Sequence, residues 1–230
     1  MRNFSRGKHC PSVFFQWMDN GFESNKFIEK AEKMDFEQAV QYVLDRMQKE
    51  LSPQLLYHSI GHTRDDVVPA VGRLAEFTGV KGESLTLLQT AAWFHDLGFV
   101  ISAVDHELKS VQIAKDVLPG YGYSSDQIKI VEGAILATIV PQNPQSELGL
   151  LLSDADLDVL GRQDFFDRNM ALRKELENFG RKFSDEEWYI NQIKFIEAHR
   201  YFSSAARMLR DEQKQNNLAA LRRLLTAIKK

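Results

Sequence analysis

The stretch LTLLQTAAWFHDLGF, residues 85–99, is apolar on nearly every side when it is drawn as a helix. A helix without a wide polar face is typical of the centre of a core. The stretch nevertheless carries His95 and Asp96 side by side, and Gly98 follows as a predicted helix stop. An ionised carboxylate is costly to bury unless it is paired or binds a metal. Because imidazole and carboxylate together often bind divalent cations, we predict a central helix that brings two ligands to a metal site. A buried His–Asp pair that is only hydrogen-bonded is the alternative.

The composition is that of an ordinary globular protein. The chain has 230 residues, 43% of them hydrophobic and 27% charged, which fits one large domain or a domain with an extension. The formal net charge of −3 gives no attraction to nucleic acid or to an anionic membrane, so neither is expected as a partner. No apolar run reaches the length of a membrane span. Cys10 is the only cysteine, which excludes a disulfide within the chain and favours a reducing cytoplasm.

Apolar residues at helical spacing recur along the chain, whereas no strand-like alternation is longer than a few residues. We therefore predict an all-α protein with an N-terminal arm (1–34), a metal-binding helical domain (35–164) and C-terminal helices packed on the same domain (165–230). The pair His9–Cys10 is interpreted as part of a loose arm rather than as a metal site. Residue pairs typical of helix starts are Asp35/Gln38, Ser124/Gln127 and Ser184/Glu187.

Two further histidines precede the central stretch. His58 and His62 are four residues apart, so a helix there would turn both side chains toward one pocket. Pro69 lies in the same segment, and it predicts that regular helix begins after it or bends. The histidines then lie on a turn-rich entry to the helix.

Three carboxylates interrupt another apolar segment, LGLLLSDADLDVLG, residues 148–161. Surface exposure is the simple interpretation for Asp158. It does not suit Asp154 and Asp156 as well, because a stretch this apolar is expected to be largely buried.

The C-terminal region has apolar stripes and few residues suited to catalysis or metal binding. Trp188, Phe195, Phe202 and Leu209 make one long stripe, and His199 lies on it, so His199 is interpreted as lining the core. These helices would cover one side of the domain, form the interface of a homodimer, or do both.

The order His62, His95–Asp96, Asp156 resembles the H…HD…D signature of the HD superfamily of metal-dependent phosphohydrolases. The resemblance covers residues 57–162, and the flanking sequences AAWFHDLGF, DHELKS and DADLDVLG strengthen it. It implies an HD-domain-like helical bundle, here with a C-terminal helical extension. It also implies that these four residues are metal ligands, with Asp96 able to bridge to a second ion.

The resemblance implies roles for other residues as well. The run YHSIGH is similar to a phosphodiesterase pattern in which the first histidine protonates the leaving oxygen, so His58 is the general-acid candidate. Ser59 departs from that pattern, which has Asn there. The remaining candidates are Glu107 as a proton acceptor, and His106 and Asp154 as ligands of a second ion or groups that orient ligands. Arg64 and Lys109 are near the ligands in the sequence, so they would either contact phosphate or be solvated surface charges.

The expected function is hydrolysis of a phosphomonoester or phosphodiester, of a nucleotide or a related small phosphate, by metal-activated water. One or two ions of Mn, Fe, Co, Ni, Zn or Mg would be bound, since histidine and carboxylate ligands accept all of them. The segment after His95–Asp96 lacks the Glu–Asp pair of guanosine-tetraphosphate hydrolases and the Gly-Tyr-Pro of the cyclic-di-GMP branch. A regulatory protein that binds metal or nucleotide without turnover is one rival, and a purely structural helical protein is the other.

Overall fold

The computed structural model of the protein describes residues 34–229, and that part of the chain is helical with no strand. The all-α prediction is confirmed. The arm predicted for residues 1–34 lies outside the described residues except for Met34, and so does the pair His9–Cys10. The helices within 34–229 are α1 (Phe36–Glu50), α2 (Val68–Thr78), α3 (Gly82–Phe94), α4 (His106–Val117), α5 (Ser125–Leu136), α6 (Glu147–Asp156), α7 (Phe165–Asn178), α8 (Asp185–Ala198) and α9 (Ser204–Ile228).

The predicted helix starts are found where the sequence placed them. The Asp35 carboxylate accepts a hydrogen bond from the backbone of Gln38 at 3.0 Å. Full capping boxes open α5 and α8, because in each the serine hydroxyl and the side chain three residues later bond reciprocally to backbone N–H groups. At the other end of α2, Gly79 adopts φ 77°, the left-handed conformation that ends helices.

Helix α3 is the centre of the larger core. It contacts α1, α2, α5 and α6, and its residues from Leu87 onward are buried except for Gln89. Leu88, Ala91 and Phe94 have no exposed surface. The one hydroxyl in this run, that of Thr90, bonds to the Tyr123 hydroxyl at 2.8 Å, so burial costs little there.

Helix α3 ends at Phe94, before the stop that the sequence predicted at Gly98, and Gly98 has a different structural role. His95 follows the last helical residue, and a short 3₁₀ turn, Leu97–Val100, contains Gly98. A Cβ atom on Gly98 would lie 1.9 Å from the carbonyl oxygen of His106. The Ser110 hydroxyl joins the same two segments, since it accepts from the Gly98 backbone and donates to the His95 carbonyl, both at 2.7 Å. Gly98 therefore permits close packing of α4 on this turn rather than ending α3.

We expect Gly98→Ala to lower the free energy of unfolding by about 1–3 kcal/mol, because the added methyl group forces α4 away from the turn. Urea denaturation measures this change. Gly72→Ala is the control: Gly72 lies within α2 and a Cβ there meets nothing within 4 Å, so that variant should gain about 0.4–1 kcal/mol. Equal stabilities of the two variants would contradict the packing argument.

The C-terminal helices build a second, smaller core. Val159, Leu160, Phe165, Ile196 and Leu221 form its buried centre together with Tyr57 and Leu218. The apolar stripe predicted from Trp188 to Leu209 does not lie on one continuous helix. It is divided between two helices, because α8 ends at Ala198 and α9 begins at Ser204.

Buried aspartates hold the C-terminal helices to the rest of the domain. The Asp154 carboxylate, 1% exposed, accepts from the backbone N–H groups of Phe202 and Ser203 at 2.7 and 2.8 Å. The surface position expected for Asp158 was also wrong. Asp158 is buried, and Arg210 binds both of its oxygens at 2.6 and 3.0 Å while Arg73 adds a third bond at 3.1 Å.

His199 lies at the α8–α9 junction beside Lys214. The Lys214 ammonium donates to His199 Nδ1 at 3.2 Å and to the His199 carbonyl at 2.9 Å. Burial and the positive charges of Lys214 and Arg200 together lower the pKa of His199 to about 4. The imidazole is consequently neutral in the folded protein at neutral pH.

A pH dependence of stability follows from His199. Its folded pKa is below the unfolded value of about 6.5, so its contribution is fully present above pH 6.5 and is lost as the pH falls toward 4. We expect the wild-type protein to lose up to about 3 kcal/mol more than His199→Gln over that range. Urea denaturation at intervals from pH 7 to pH 4 gives the difference between the two proteins. Parallel curves would contradict the prediction.

Candidate metal centre

Four side-chain atoms converge at the end of α3. They are His62 Nε2, His95 Nε2, Asp96 Oδ2 and Asp156 Oδ1. His62, His95 and Asp96 are buried, and their ligand atoms lie within 4.8 Å of one another. Asp156 Oδ1 lies 3.2 Å from the His62 nitrogen and 3.5 Å from the His95 nitrogen. Asp96 Oδ2 lies 3.7 and 3.3 Å from the same two nitrogens.

Three separate segments bring these atoms together. His62 opens a π-helical turn, His62–Val67, that leads into α2. His58 and His62 do not share a helical face, because residues 51–59 form turns and bends, and His58 thus lies on the turn-rich entry that the sequence predicted. Pro69 is the second residue of α2, and the π-helical turn that runs into α2 without a break lies directly before it. Asp156 is the last residue of α6.

The spacing of the four atoms fits one cation. A metal with ligands at about 2.1 Å separates adjacent ligand atoms by about 3.0 Å in octahedral and about 3.4 Å in tetrahedral geometry. The observed distances of 3.2–3.7 Å fall around those values.

Two of the four atoms have no hydrogen-bond partner although they are buried, His95 Nε2 and Asp96 Oδ2. The other ring nitrogen of His95, Nδ1, donates to the Ala92 carbonyl at 2.7 Å. In the neutral imidazole this bond leaves the lone pair on Nε2, where a metal would bind it. Unpartnered buried polar atoms are rare and costly, and a divalent cation between them would satisfy both. The residues present therefore fit a metal ion.

The four groups form a charged cluster. Burial alone would lower the pKa of His62, but hydrogen bonding to Asp156 and Asp66 raises it to about 9. Burial would likewise raise the pKa of Asp156, but His62 and His95 lower it to about 2. A divalent cation that replaces the protons on the imidazole rings would still balance the negative charge of the carboxylates, and binding of the cation would release those protons.

A second group of charges supports His62 from behind. Asp66 Oδ2 lies 3.8 Å from His62 Nδ1, and Asp66 is itself bound by Arg162 at 2.6 Å and Arg168 at 3.0 Å. This arrangement fixes the direction of the His62 ring. Sequence reasoning missed Asp66, because its arginine partners are about 100 residues away in the chain.

His106 and Glu107 border the cluster. His106 Nε2 lies 3.3 Å from the second oxygen of Asp96, and His106 Nδ1 lies 3.4 Å from Glu107. The His106 ring packs on Phe99 with 4.0 Å between centroids. Asp96 thus faces His62 and His95 with one carboxylate oxygen and His106 with the other.

His58 is held by a residue that the sequence did not indicate. Its Nδ1 lies 2.5 Å from Glu175 on α7, and the other Glu175 oxygen accepts from the backbone N–H groups of Tyr57 and His58 at 2.8 and 3.0 Å. Burial would raise the pKa of Glu175, but these bonds lower it, so it is ionised. The His58 ring also stacks on Phe99 at 4.4 Å.

The cluster opens into a cavity of about 540 Å³. His58, Asp96, His106, Glu107 and Asp156 line one part of it, and residues of the 3₁₀ turn Asp158–Gly161, of α7 and of α8 line the rest. The C-terminal helices thus supply most of the wall of the pocket next to the candidate metal centre.

Comparison with known proteins identifies the fold. No family profile matches the chain. An uncharacterized protein of Clostridium beijerinckii is 28% identical over 99 residues, which are 41% of this chain and 62% of the relative, so the match spans about three fifths of that protein. The crystal structure of a predicted HD superfamily hydrolase from an uncultured Thermotogales bacterium matches with a TM-score of 0.57 and 18% identity, covering 83% of this chain and 91% of the other. The protein has an HD-domain fold.

The HD-domain fold confirms the architecture that the resemblance implied, and the roles of individual residues stay predictions. Within the HD domain, the structure brings together His58, His106 and Glu107 with the four-atom cluster. Among residues 34–229, no helix is long and apolar enough to cross a membrane.

Three predicted site residues lie away from the cluster. Asp154 faces the α8–α9 junction, as described above, although Asp156 is only two residues further along the same helix. Arg64 is exposed and its guanidinium binds Asp65 at 2.7 and 2.8 Å. The Lys109 ammonium donates to the carbonyl of Val104. None of the three lines the cavity.

Proposed function

We propose that the protein is a metal-dependent phosphohydrolase that cleaves a phosphate ester of a small molecule. The observation that carries the proposal is the pair of buried, unpartnered atoms, His95 Nε2 and Asp96 Oδ2, at the edge of a cavity large enough for such a substrate. The HD-domain fold supports the reaction class. The nucleotide expected from the sequence belongs to this class of substrate.

His62, His95, Asp96 and Asp156 would hold the ion. A divalent ion bound there supplies Lewis-acid stabilisation of phosphate charge and lowers the pKa of a water molecule. The Asp66 carboxylate, fixed by Arg162 and Arg168, keeps the His62 ring in its ligating orientation. Burial of His62, His95 and Asp96 strengthens the electrostatic contacts among them.

His58 would protonate the leaving oxygen. Glu175 accepts from His58 Nδ1, so Nε2 is the nitrogen that would carry the transferable proton when the ring is an imidazolium, and the Glu175 carboxylate would stabilise that charged form. The ring cannot swing freely, because it is stacked on Phe99 and its own backbone is bonded to Glu175. Glu107 lines the same cavity and would accept a proton on the side of the attacking water.

The test combines metal analysis with a hydrolysis screen. Purified protein should contain divalent metal in stoichiometric amount, and it should hydrolyse 4-nitrophenyl phosphate or bis(4-nitrophenyl) phosphate with at least one of Mn, Fe, Co, Ni, Zn and Mg. Metal binding without product from either ester would identify the non-catalytic binding protein instead. A protein that binds none of these metals would be structural, and the proposal would be wrong.

A further inference from the structure

We propose that the substrate carries a single phosphate on a largely apolar body, an inference that rests on the proposed function. The wall of the cavity beyond the candidate metal centre is mainly hydrocarbon. Its apolar part is formed by Leu157, Val159, Leu160, Phe165, Leu172 and Leu176, and the aromatic rings of Phe183, Trp188 and Phe195 continue it.

Three of the polar side chains in that wall are already bonded within the protein, whereas the Asn191 side chain and the amide nitrogen of Gln192 have no hydrogen-bond partner among residues 34–229. Asn169 donates to Gln192 at 2.5 Å, and its oxygen accepts from the Trp188 indole at 2.8 Å. The Thr138 hydroxyl donates to the Ile135 carbonyl at 2.8 Å. A sugar or other polyhydroxylated body placed here would exchange many hydrogen bonds to water for the few that Asn191 and Gln192 can offer, which is costly. An alkyl or ring body would gain from leaving water.

The charges around the cavity argue for one phosphate. Asp96, Glu107 and Asp156 are the lining acids, and Arg181 is the single lysine or arginine among the lining residues of the described chain. Arg181 is exposed, and its guanidinium lies 5.8 Å from the centre of the Phe183 ring. The lining carboxylates and one phosphate would already balance most of the charge of a bound divalent ion, so the further charge of a diphosphate or triphosphate would have only Arg181 to compensate it.

A homologous series tests the inference. Methyl, butyl, hexyl and octyl phosphate share the same reacting bond, so differences in kcat/KM report on binding of the body. With metal-loaded protein we expect kcat/KM to rise by about fourfold per methylene until the cavity is full. Hexyl phosphate should exceed glycerol phosphate, a nucleoside monophosphate and hexyl diphosphate, each by tenfold or more.

A binding measurement separates this inference from the proposed function. Methylphosphonate and hexylphosphonate are not hydrolysed, and calorimetry of each with metal-loaded protein gives the affinity without turnover. Binding of hexylphosphonate that is tighter than that of methylphosphonate by tenfold or more supports the inference, whether or not any ester is hydrolysed. Absence of hydrolysis would contradict the hydrolase proposal only. Equal affinities, or a faster reaction with glycerol phosphate or the nucleotide, would overturn the inference and leave the hydrolase proposal standing.

Two variants on α7 locate the effect. Leu172→Asn puts an amide into the wall and should reduce the hexyl-to-methyl preference, in both affinity and kcat/KM, by at least fivefold. Met170→Asn is the matched control, because Met170 lies on the same helix with 48% exposure and does not line the cavity. That variant should keep the wild-type preference. The same loss in both variants would show that the wall does not select the body.

Discussion

The Asp96→Asn protein will fold and retain almost no metal, and its hydrolysis of 4-nitrophenyl phosphate will fall by at least about 10³-fold. The amide keeps the shape of the carboxylate but removes the charge that balances the two imidazoles and any cation. Asp96 Oδ2 is also one of the two buried atoms without a partner, so its loss should affect metal affinity directly. Elemental analysis of the purified protein and the rate with added metal measure both effects.

Asp154→Asn is the control for that experiment. Asp154 is as deeply buried as Asp96, but its carboxylate binds the backbone of Phe202 and Ser203. Its variant should keep its metal and lose about 1–3 kcal/mol of stability. If Asp154→Asn lost metal while Asp96→Asn retained it, the assignment of the ligands would be wrong.

His58→Ala will lower kcat for alkyl phosphates by about 10²–10⁴-fold while the protein keeps its metal, because the leaving alkoxide then departs without a proton. The loss will be much smaller for 4-nitrophenyl phosphate, since nitrophenolate is a stable leaving group and needs no proton. Steady-state rates with the two esters, measured on protein of known metal content, give the comparison.

Glu175→Gln should lie between wild type and His58→Ala. The amide can still accept from the backbone of Tyr57 and His58, but it loses the ionic bond to Nδ1 that fixes the ring. An equal loss for both esters in His58→Ala would contradict the general-acid role and indicate a role in binding instead.

Local features of the site and fold were predictable from the sequence. Helix caps depend on residues three positions apart, and Ser124/Gln127 and Ser184/Glu187 are of this kind. The buried His95–Asp96 pair was conspicuous because its neighbours are apolar. Asp156 was chosen over Asp154 by resemblance, and the structure places only Asp156 beside His62 and His95.

Features that depend on distant contacts were not predictable. Glu175 meets His58 across 117 positions, and nothing in the neighbourhood of Glu175 distinguishes it from the other acids on α7. Asp158 looked like a surface residue because its arginine partners, Arg73 and Arg210, lie 85 and 52 positions away. Gly98 was taken as a helix stop because its real constraint, the approach of the His106 backbone, exists only in the folded chain.

The bond between Glu175 and the backbone of Tyr57 and His58 limits how this protein can diverge. Insertion of one residue into α7 ahead of Glu175 would rotate its carboxylate by about 100° around the helix axis and leave two buried N–H groups without an acceptor. Substitutions along the pocket face of α7 can therefore change the specificity of related proteins. The number of residues between Phe165 and Glu175, by contrast, cannot change without loss of this bond.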